Sequence, residues 1–115
     1  MSDVPCFIGI DVAKAQLDIA LRPSGERWAV PNDASGVTML VDRLQALHPT
    51  LMVLEATGGL ERMVTSALAT AGLPVVVVNP RQVRDFARAT GQLAKTEAWD
   101  ARALAHGADV IRPIP

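Results

Sequence analysis

The sequence predicts an α/β fold in which three antiparallel strands lead into a parallel β-α-β unit within one domain. Short runs with strand periodicity, separated by turn residues, occupy the first part of the chain. Segments with helical spacing then alternate with continuous aliphatic runs, a pattern typical of parallel strands. Half of the 115 residues are hydrophobic but only 3% are aromatic. At this length we expect one core, built from aliphatic side chains.

Three strands are predicted near the N-terminus. Residues 6–10 form an apolar run that ends at Asp11, and residues 16–21 alternate between polar and apolar side chains. A proline, a serine and a glycine at 23–25 predict a turn, and residues 27–30 offer a third short strand before a proline ends it. The three strands are therefore expected to form an antiparallel meander.

A helix is predicted after this meander. Asn32, Asp33 or Ser35 can cap its start, whereas His48 and Pro49 close it. The apolar positions with helical spacing are Val37, Leu40, Val41, Leu44 and Leu47. One face of this helix should therefore pack on the sheet.

The next segment has the order strand, helix, strand. Residues 51–54 are a continuous apolar strand that ends at Glu55, residues 60–71 are helical, and residues 75–78 are a buried strand. This order predicts a parallel pair. The small residues at 56–59 form either a tight turn or a loop whose backbone comes close to an occupant of the cleft.

Composition and charge limit the function classes. No apolar run approaches the roughly 20 residues that span a bilayer, and no export signal is evident, so we expect a cytoplasmic protein without membrane contact. The single cysteine, Cys6, lies in an apolar run, where a buried, inert thiol is expected. His48 and His106 lack metal-ligand spacing, so surface positions are expected. A net charge of −1 does not by itself indicate a nucleic-acid binder.

Four carboxylates stand where strands or helices should end or begin. They are Asp11, Glu55, Glu97 and Asp100, within the motifs IGID, LEATGG and KTEAWDA. Asp11 and Glu55 follow apolar strands, whose carboxyl ends form the ligand-binding edge of an α/β sheet. Glu97 and Asp100 are three residues apart and would share a helix face. Because Mg²⁺ prefers oxygen ligands, the set predicts a divalent-metal site that acts on a phosphodiester. A turn, a strand end and a solvated helix start remain the alternative interpretation.

A basic stripe is predicted beside these carboxylates. Arg81, Arg84 and Arg88 recur at helical spacing, and Lys95 lies just beyond them. The stripe could follow a nucleic-acid backbone. With Asp85 among these residues, a solvated helix face is an equal alternative. The two helical stretches predicted in this part of the chain are 81–89 and 96–110.

Three longer motifs follow one another along the chain: IGIDVAK, LEATGG and VVNPRQVRDFARATGQLAKTEAWDARALA. In this order they resemble the N-terminal RuvC-like domain of DEDD-type insertion-sequence transposases, the group that includes the Piv invertases and the bridge-RNA-guided recombinases. The resemblance covers nearly the whole chain and is closest over 79–105. Three matching motifs make it specific, whereas IGID alone would be weak.

The resemblance implies a ribonuclease H-like fold, a mixed sheet flanked by helices, in a bacterial DNA transposase. By position, Asp11, Glu55 and Asp100 match the first, second and fourth acidic residues of the family, which act with Mg²⁺ or Mn²⁺. Glu97 stands where the family usually has aspartate. Its extra methylene adds about 1.5 Å of reach, and since Mg²⁺ demands near-ideal geometry, we expect altered metal occupancy or activity.

The resemblance also implies partners and a further domain. DNA is the expected substrate, in transposition of an insertion sequence, and a homo-oligomer is expected. A structured guide RNA is a partner of some members only, and the sequence leaves it open. Family members carry a C-terminal domain that supplies a serine, which these 115 residues do not contain. The chain alone is therefore expected to bind metal and nucleic acid without completing recombination.

Three other interpretations compete with this one. A nucleotide-binding domain of the actin and sugar-kinase type would need glycine and a hydroxyl residue directly after Asp11, where Val12 and Ala13 stand instead. A non-catalytic RNA- or DNA-binding or dimerisation module with the same fold would use the basic stripe. A stand-alone junction endonuclease shares the fold, but the KTEAWDA segment favours a transposase.

Overall fold

The computed structural model describes residues 5–79 together with five later positions, and within these it contains one five-stranded sheet and two helices. The later positions are Arg81, Ala101, Leu104, Ala105 and Ala108. The elements are β1 (Phe7–Val12), β2 (Gln16–Arg22), β3 (Arg27–Pro31), α1 (Ala34–Leu47), β4 (Leu51–Glu55), α2 (Arg62–Thr70) and β5 (Val75–Val78). The strand order is β3-β2-β1-β4-β5. The first three strands pair antiparallel, whereas β1 with β4 and β4 with β5 pair parallel.

This topology confirms the predicted meander and β-α-β unit, although several element ends differ by one or two residues. Strand β1 does not end before Asp11, because Asp11 and Val12 continue the ladder with β2. Helix α2 begins at Arg62, two residues later than predicted, since Gly58 and Gly59 have φ angles of 71° and 105° and form a turn instead. The five later positions are all helical, as predicted, and the other residues of the two predicted C-terminal helices lie outside the described set.

Helix α1 starts and stops where the sequence offers caps. Of the three candidate caps, Asp33 acts, because its carboxylate accepts a hydrogen bond from the Gly36 backbone at 2.8 Å. Exposed His48 ends the helix in the left-handed conformation, with φ of 51°. Side chains at helical spacing, such as Leu40 and Leu44, are fully buried against the sheet. The apolar stripe therefore fixes the face that this helix presents.

The sheet separates two apolar clusters. One face packs against α1 and α2, and its strand residues include Ile8, Ile10 and Leu54. The opposite face contains Phe7, Leu51 and Val53, which pack with Leu104 and Ala108 from the C-terminal part of the chain. Alternation along each strand therefore assigns every side chain of β1 and β4 to one of two defined layers.

The antiparallel edge is fastened to α1 by a polar contact. The guanidinium of Arg43 lies 3.7 Å from the centre of the Trp28 ring and also pairs with Glu26.

Cys6 is only half-buried rather than enclosed, although it packs against the first cluster, and partial burial raises the pKa of its thiol. None of the described helices is long and apolar enough to cross a membrane.

Candidate metal site and nucleic-acid interface

Parallel pairing places two of the four predicted carboxylates side by side. Strands β1 and β4 pair in register up to Ile10 opposite Leu54. Asp11 and Glu55 are the next residues on each strand, so their backbones lie on adjacent strands about 4.8 Å apart. Both stand at the carboxyl end of the parallel part of the sheet, as the sequence predicted, and both are half-buried.

The same two carboxylates also share a face of the sheet. Ile10 and Leu54, the residues before them, belong to the cluster under α1 and α2. Because successive strand side chains point to opposite faces, Asp11 and Glu55 project to the other face, the one that contains Leu104. Each already has an interaction partner in the structure.

A third carboxylate, not predicted as a site residue, lies on this face. Asp18 of β2 is directly opposite Asp11 in the antiparallel ladder. Its neighbours Leu17 and Ile19 are buried in the first cluster, so Asp18 points to the face of Asp11. The carboxylate accepts a hydrogen bond from the Gln16 side chain at 2.8 Å. Strict alternation in QLDIAL was the signal that could have found this residue.

The C-terminal helical residues cross β1 next to this acidic edge. A Cβ built on Gly9 would lie 2.0 Å from the carbonyl oxygen of Ala101 and 2.4 Å from the amide nitrogen of Ala105. Only glycine therefore permits this approach of helix to strand. Gly9 precedes Asp11 by two residues and faces the same side, so Ala101 lies one strand period, roughly 6.6 Å, from the level of Asp11.

The β1–β2 connection beyond Asp11 is held by Asn32. Its side-chain amide donates to the carbonyl oxygen of Ala13 at 2.8 Å, and its backbone amide donates to that of Ala15 at 3.1 Å. Asn32 was one of three candidate helix caps, but it instead ties the start of α1 to the hairpin. The hairpin beside the acidic edge is thus fixed to the helical layer.

The loop after Glu55 closes on another carboxylate that sequence reasoning missed. One oxygen of Glu61 accepts hydrogen bonds from the backbone amides of Thr57 and Gly59, at 2.9 and 3.1 Å, and from the Thr57 hydroxyl at 3.4 Å. The Thr57 backbone bond is the largest cause that lowers the pKa of the Glu61 carboxyl. The sequence alone does not predict this contact, because it depends on two glycines with positive φ.

The remaining predicted site residues are not placed. Glu97, Asp100, Arg84, Arg88 and Lys95 lie outside the described residues. Arg81, the first of the basic stripe, is helical and exposed. Its position agrees with either a nucleic-acid contact or a solvated face.

The donor set that is placed suits a hard cation. Within the described ranges, no group of three or more His, Cys, Asp or Glu residues is arranged to hold a metal ion. Asp11 and Glu55 nevertheless offer carboxylate oxygens from adjacent strands, and Mg²⁺ commonly uses only one or two protein carboxylates, with water and substrate phosphate completing its shell. The two side chains therefore fit Mg²⁺ or Mn²⁺ as partial ligands.

Comparison with solved structures identifies the fold class. A structure of T. thermophilus RuvC in complex with Holliday junction substrate matches with a TM-score of 0.60 and 16% sequence identity, over 89% of this chain and 90% of that chain. The fold is therefore ribonuclease H-like, of the RuvC kind. The comparison with curated proteins gave no match.

The family follows from the sequence match. A family model for DEDD transposases of the IS110 type, described as "Transposase", matches residues 8–113. The match covers all the described strands and helices except the first residue of β1. The chain belongs to this transposase family, as its motifs predicted.

Proposed function

We propose that this chain carries the catalytic acidic cluster of an insertion-sequence transposase, in which Asp11, Glu55, Glu97 and Asp100 hold Mg²⁺ or Mn²⁺ for DNA strand cleavage and exchange. The observation that supports this most directly is the in-register pairing of β1 and β4, which sets Asp11 beside Glu55. A bound divalent ion would polarise the scissile phosphate and neutralise developing charge. The carboxylates of the sheet would orient it at a fixed edge.

The path of the chain supports a contribution from Asp100. Ala101 is bonded to Asp100 and contacts Gly9, which lies two residues before Asp11 on the same face. Ala101, the residue that follows Asp100, thus lies against β1 next to the acidic edge, which supports including Asp100 in the proposed cluster.

DNA is the proposed substrate, and the basic stripe its proposed contact. The family is one of transposases, and the RuvC structure of similar fold holds a Holliday junction. Exposed Arg81 offers one cation, and Arg84, Arg88 and Lys95 would extend it along a phosphate backbone. A homo-oligomer and, in some members, a guide RNA belong to the same proposal. Metal and DNA binding are expected from these 115 residues, but not complete strand exchange.

Manganese titration tests the metal part of this proposal. We expect Asp11→Asn and Glu55→Gln to weaken Mn²⁺ binding at least tenfold, the lower end of the roughly 10–100-fold loss seen when even outer-shell partners of a metal are removed. Glu26→Gln is the matched control, because Glu26 is a half-exposed glutamate paired with Arg43 away from this edge. Wild-type affinity in Asp11→Asn, or no binding at millimolar Mn²⁺, would contradict the proposal.

A non-catalytic nucleic-acid-binding module is the second candidate, favoured by the glutamate at position 97. Glu97→Asp distinguishes the two candidates. In a catalytic domain the shorter side chain should raise Mn²⁺ affinity, since it restores the residue usual in the family. In a binding module it should leave Mn²⁺ affinity unchanged, whereas Arg84→Ala should lower affinity for a branched DNA probe in both.

A further inference from the structure

The loop between β4 and α2 begins at a proposed metal ligand and contains two consecutive glycines. Glu55 is the last residue of β4, and Gly58 and Gly59 both have positive φ. Glycines lose more conformational freedom on folding than other residues. A loop of this composition therefore needs contacts of its own to hold one conformation beside Glu55.

The strand side of the loop has one such contact. The backbone amide of Ala56, the residue after Glu55, donates to the carbonyl oxygen of Val78 in β5 at 2.8 Å. This bond extends the parallel ladder by one step beyond Glu55. It ends there, and the next backbone donor along the loop, Thr57, turns to the Glu61 side chain.

The helix side of the loop depends on Glu61. Its backbone carbonyl accepts the first helical hydrogen bond of α2 from Thr65 at 2.9 Å. Its side chain makes no capping bond to the helix, although it occupies the cap position. Instead it accepts three hydrogen bonds from Thr57 and Gly59 on one oxygen. The residue thus joins the start of a packed helix to the part of the loop nearest Glu55.

Helix α2 is a firm anchor for this contact. Val64 and Leu68, one and two turns into the helix, are fully buried in the cluster between helices and sheet. Because α2 cannot move without exposing them, a side chain fixed at its first turn is also fixed relative to the sheet. The loop is therefore held between two rigid elements.

We propose that Glu61 is a positioning residue for the acidic edge, a role that rests on the proposed function: its carboxylate fixes the β4–α2 loop and so holds Glu55 beside Asp11. Glu61 does not bind the cation in this role. It acts through hydrogen bonds that need an acceptor oxygen, which the negative charge strengthens but which a neutral amide also offers. Glutamine, which keeps one acceptor oxygen, should therefore replace it in part, and alanine should not.

The test compares Glu61→Ala with Glu61→Gln in the 115-residue chain, using backbone ¹⁵N relaxation and Mn²⁺ titration, with Glu26→Gln as control. We expect order parameters from Glu55 to Gly59 to fall below about 0.6 in the alanine variant, from the roughly 0.85 of rigid backbone. Mn²⁺ affinity should fall at least fivefold. The glutamine variant should keep ordered backbone and stay within about twofold of wild-type affinity.

Different results would overturn different statements. Unchanged order parameters at Glu55 in Glu61→Ala would refute the positioning role, whatever the metal result. A mobile loop with wild-type Mn²⁺ affinity would also refute it, because Glu55 would then not depend on the loop. Equal loss of Mn²⁺ affinity in Glu61→Ala and Glu61→Gln would show that the negative charge of Glu61 is required, which would contradict the proposed partial replacement by glutamine. Absence of Mn²⁺ binding in the wild type would refute the proposed metal function, while relaxation would still decide whether Glu61 orders Glu55.

Discussion

Gly9→Ala should disturb the packing of the C-terminal helical residues on β1 while the sheet itself still folds. The new methyl carbon would lie 2.0 Å from the carbonyl oxygen of Ala101, whereas ordinary contact begins at 3.4 Å. Contact could be restored only by a relative shift of about 1.4 Å. Forcing extra carbon into a packed interior typically costs about 1–3 kcal/mol. For a domain of this size that corresponds to a fall in melting temperature of roughly 4–12 °C.

The same displacement should weaken the metal site. A shift of about 1.4 Å exceeds the roughly 0.5 Å within which site residues must be held. Because Ala101 is bonded to the proposed ligand Asp100, we expect Mn²⁺ affinity to fall at least tenfold in Gly9→Ala. Thermal unfolding by circular dichroism and Mn²⁺ titration, at a temperature where the variant is folded, measure the two effects.

Gly36→Ala is the matched control. Its Cβ would lie 1.9 Å from the carbonyl oxygen of Pro31, an equally severe clash between α1 and the end of β3. We expect a similar loss of stability but unchanged Mn²⁺ affinity, because α1 covers the face of the sheet opposite Asp11. Wild-type stability and affinity in Gly9→Ala would refute the close approach of Ala101 to β1.

Three further predictions concern the acidic face and its cover. Asp18→Asn should raise metal-free stability, measured by unfolding, by about 0.2–1 kcal/mol, because it removes a like charge opposite Asp11. Since it also removes negative charge near the proposed cation, it should weaken Mn²⁺ binding, measured by titration, about threefold. Because the folded structure lowers the pKa of the Glu61 carboxyl from its unfolded value of 4.5, the charged carboxylate stabilises the fold when the pH is above 4.5. The melting temperature of the wild type should therefore exceed that of Glu61→Gln by a smaller margin as the pH falls below 4.5. Leu104→Ala should cost about 2–5 kcal/mol in denaturant unfolding, since Leu104 is 2% exposed.

The sheet was predictable because its signals are local. Alternation in β2 and the continuous aliphatic runs of β4 and β5 each occur within a few residues, and turn residues separate them. Asp11 and Glu55 could be expected to converge, since carboxyl ends of parallel strands meet at one edge. The residues directly opposite them on neighbouring strands could not be predicted, because register depends on pairing between strands far apart in sequence.

Asp18 and Glu61 show what local patterns leave out. Asp18 reads as an ordinary polar residue of an alternating strand, and only the ladder with β1 sets it opposite Asp11. Glu61 reads as an acidic residue at a helix start, where interaction with the helix dipole is the usual expectation. Its side chain turns back to Thr57 and Gly59 because two glycines adopt conformations that other residues avoid.

The backbone positions of the two placed carboxylates are set by the sheet. Strand β1 is paired on both sides, by β2 and β4, and β4 lies between β1 and β5. The backbones of Asp11 and Glu55 are therefore fixed by hydrogen-bonded ladders and by buried neighbours such as Ile10 and Leu54. Because like charges on adjacent strands repel, this rigid backbone holds the pair together at a cost that a divalent cation would offset. In the proposed function, a preformed pair of this kind would bind a cation without first folding around it, unlike small domains whose structure depends on metal.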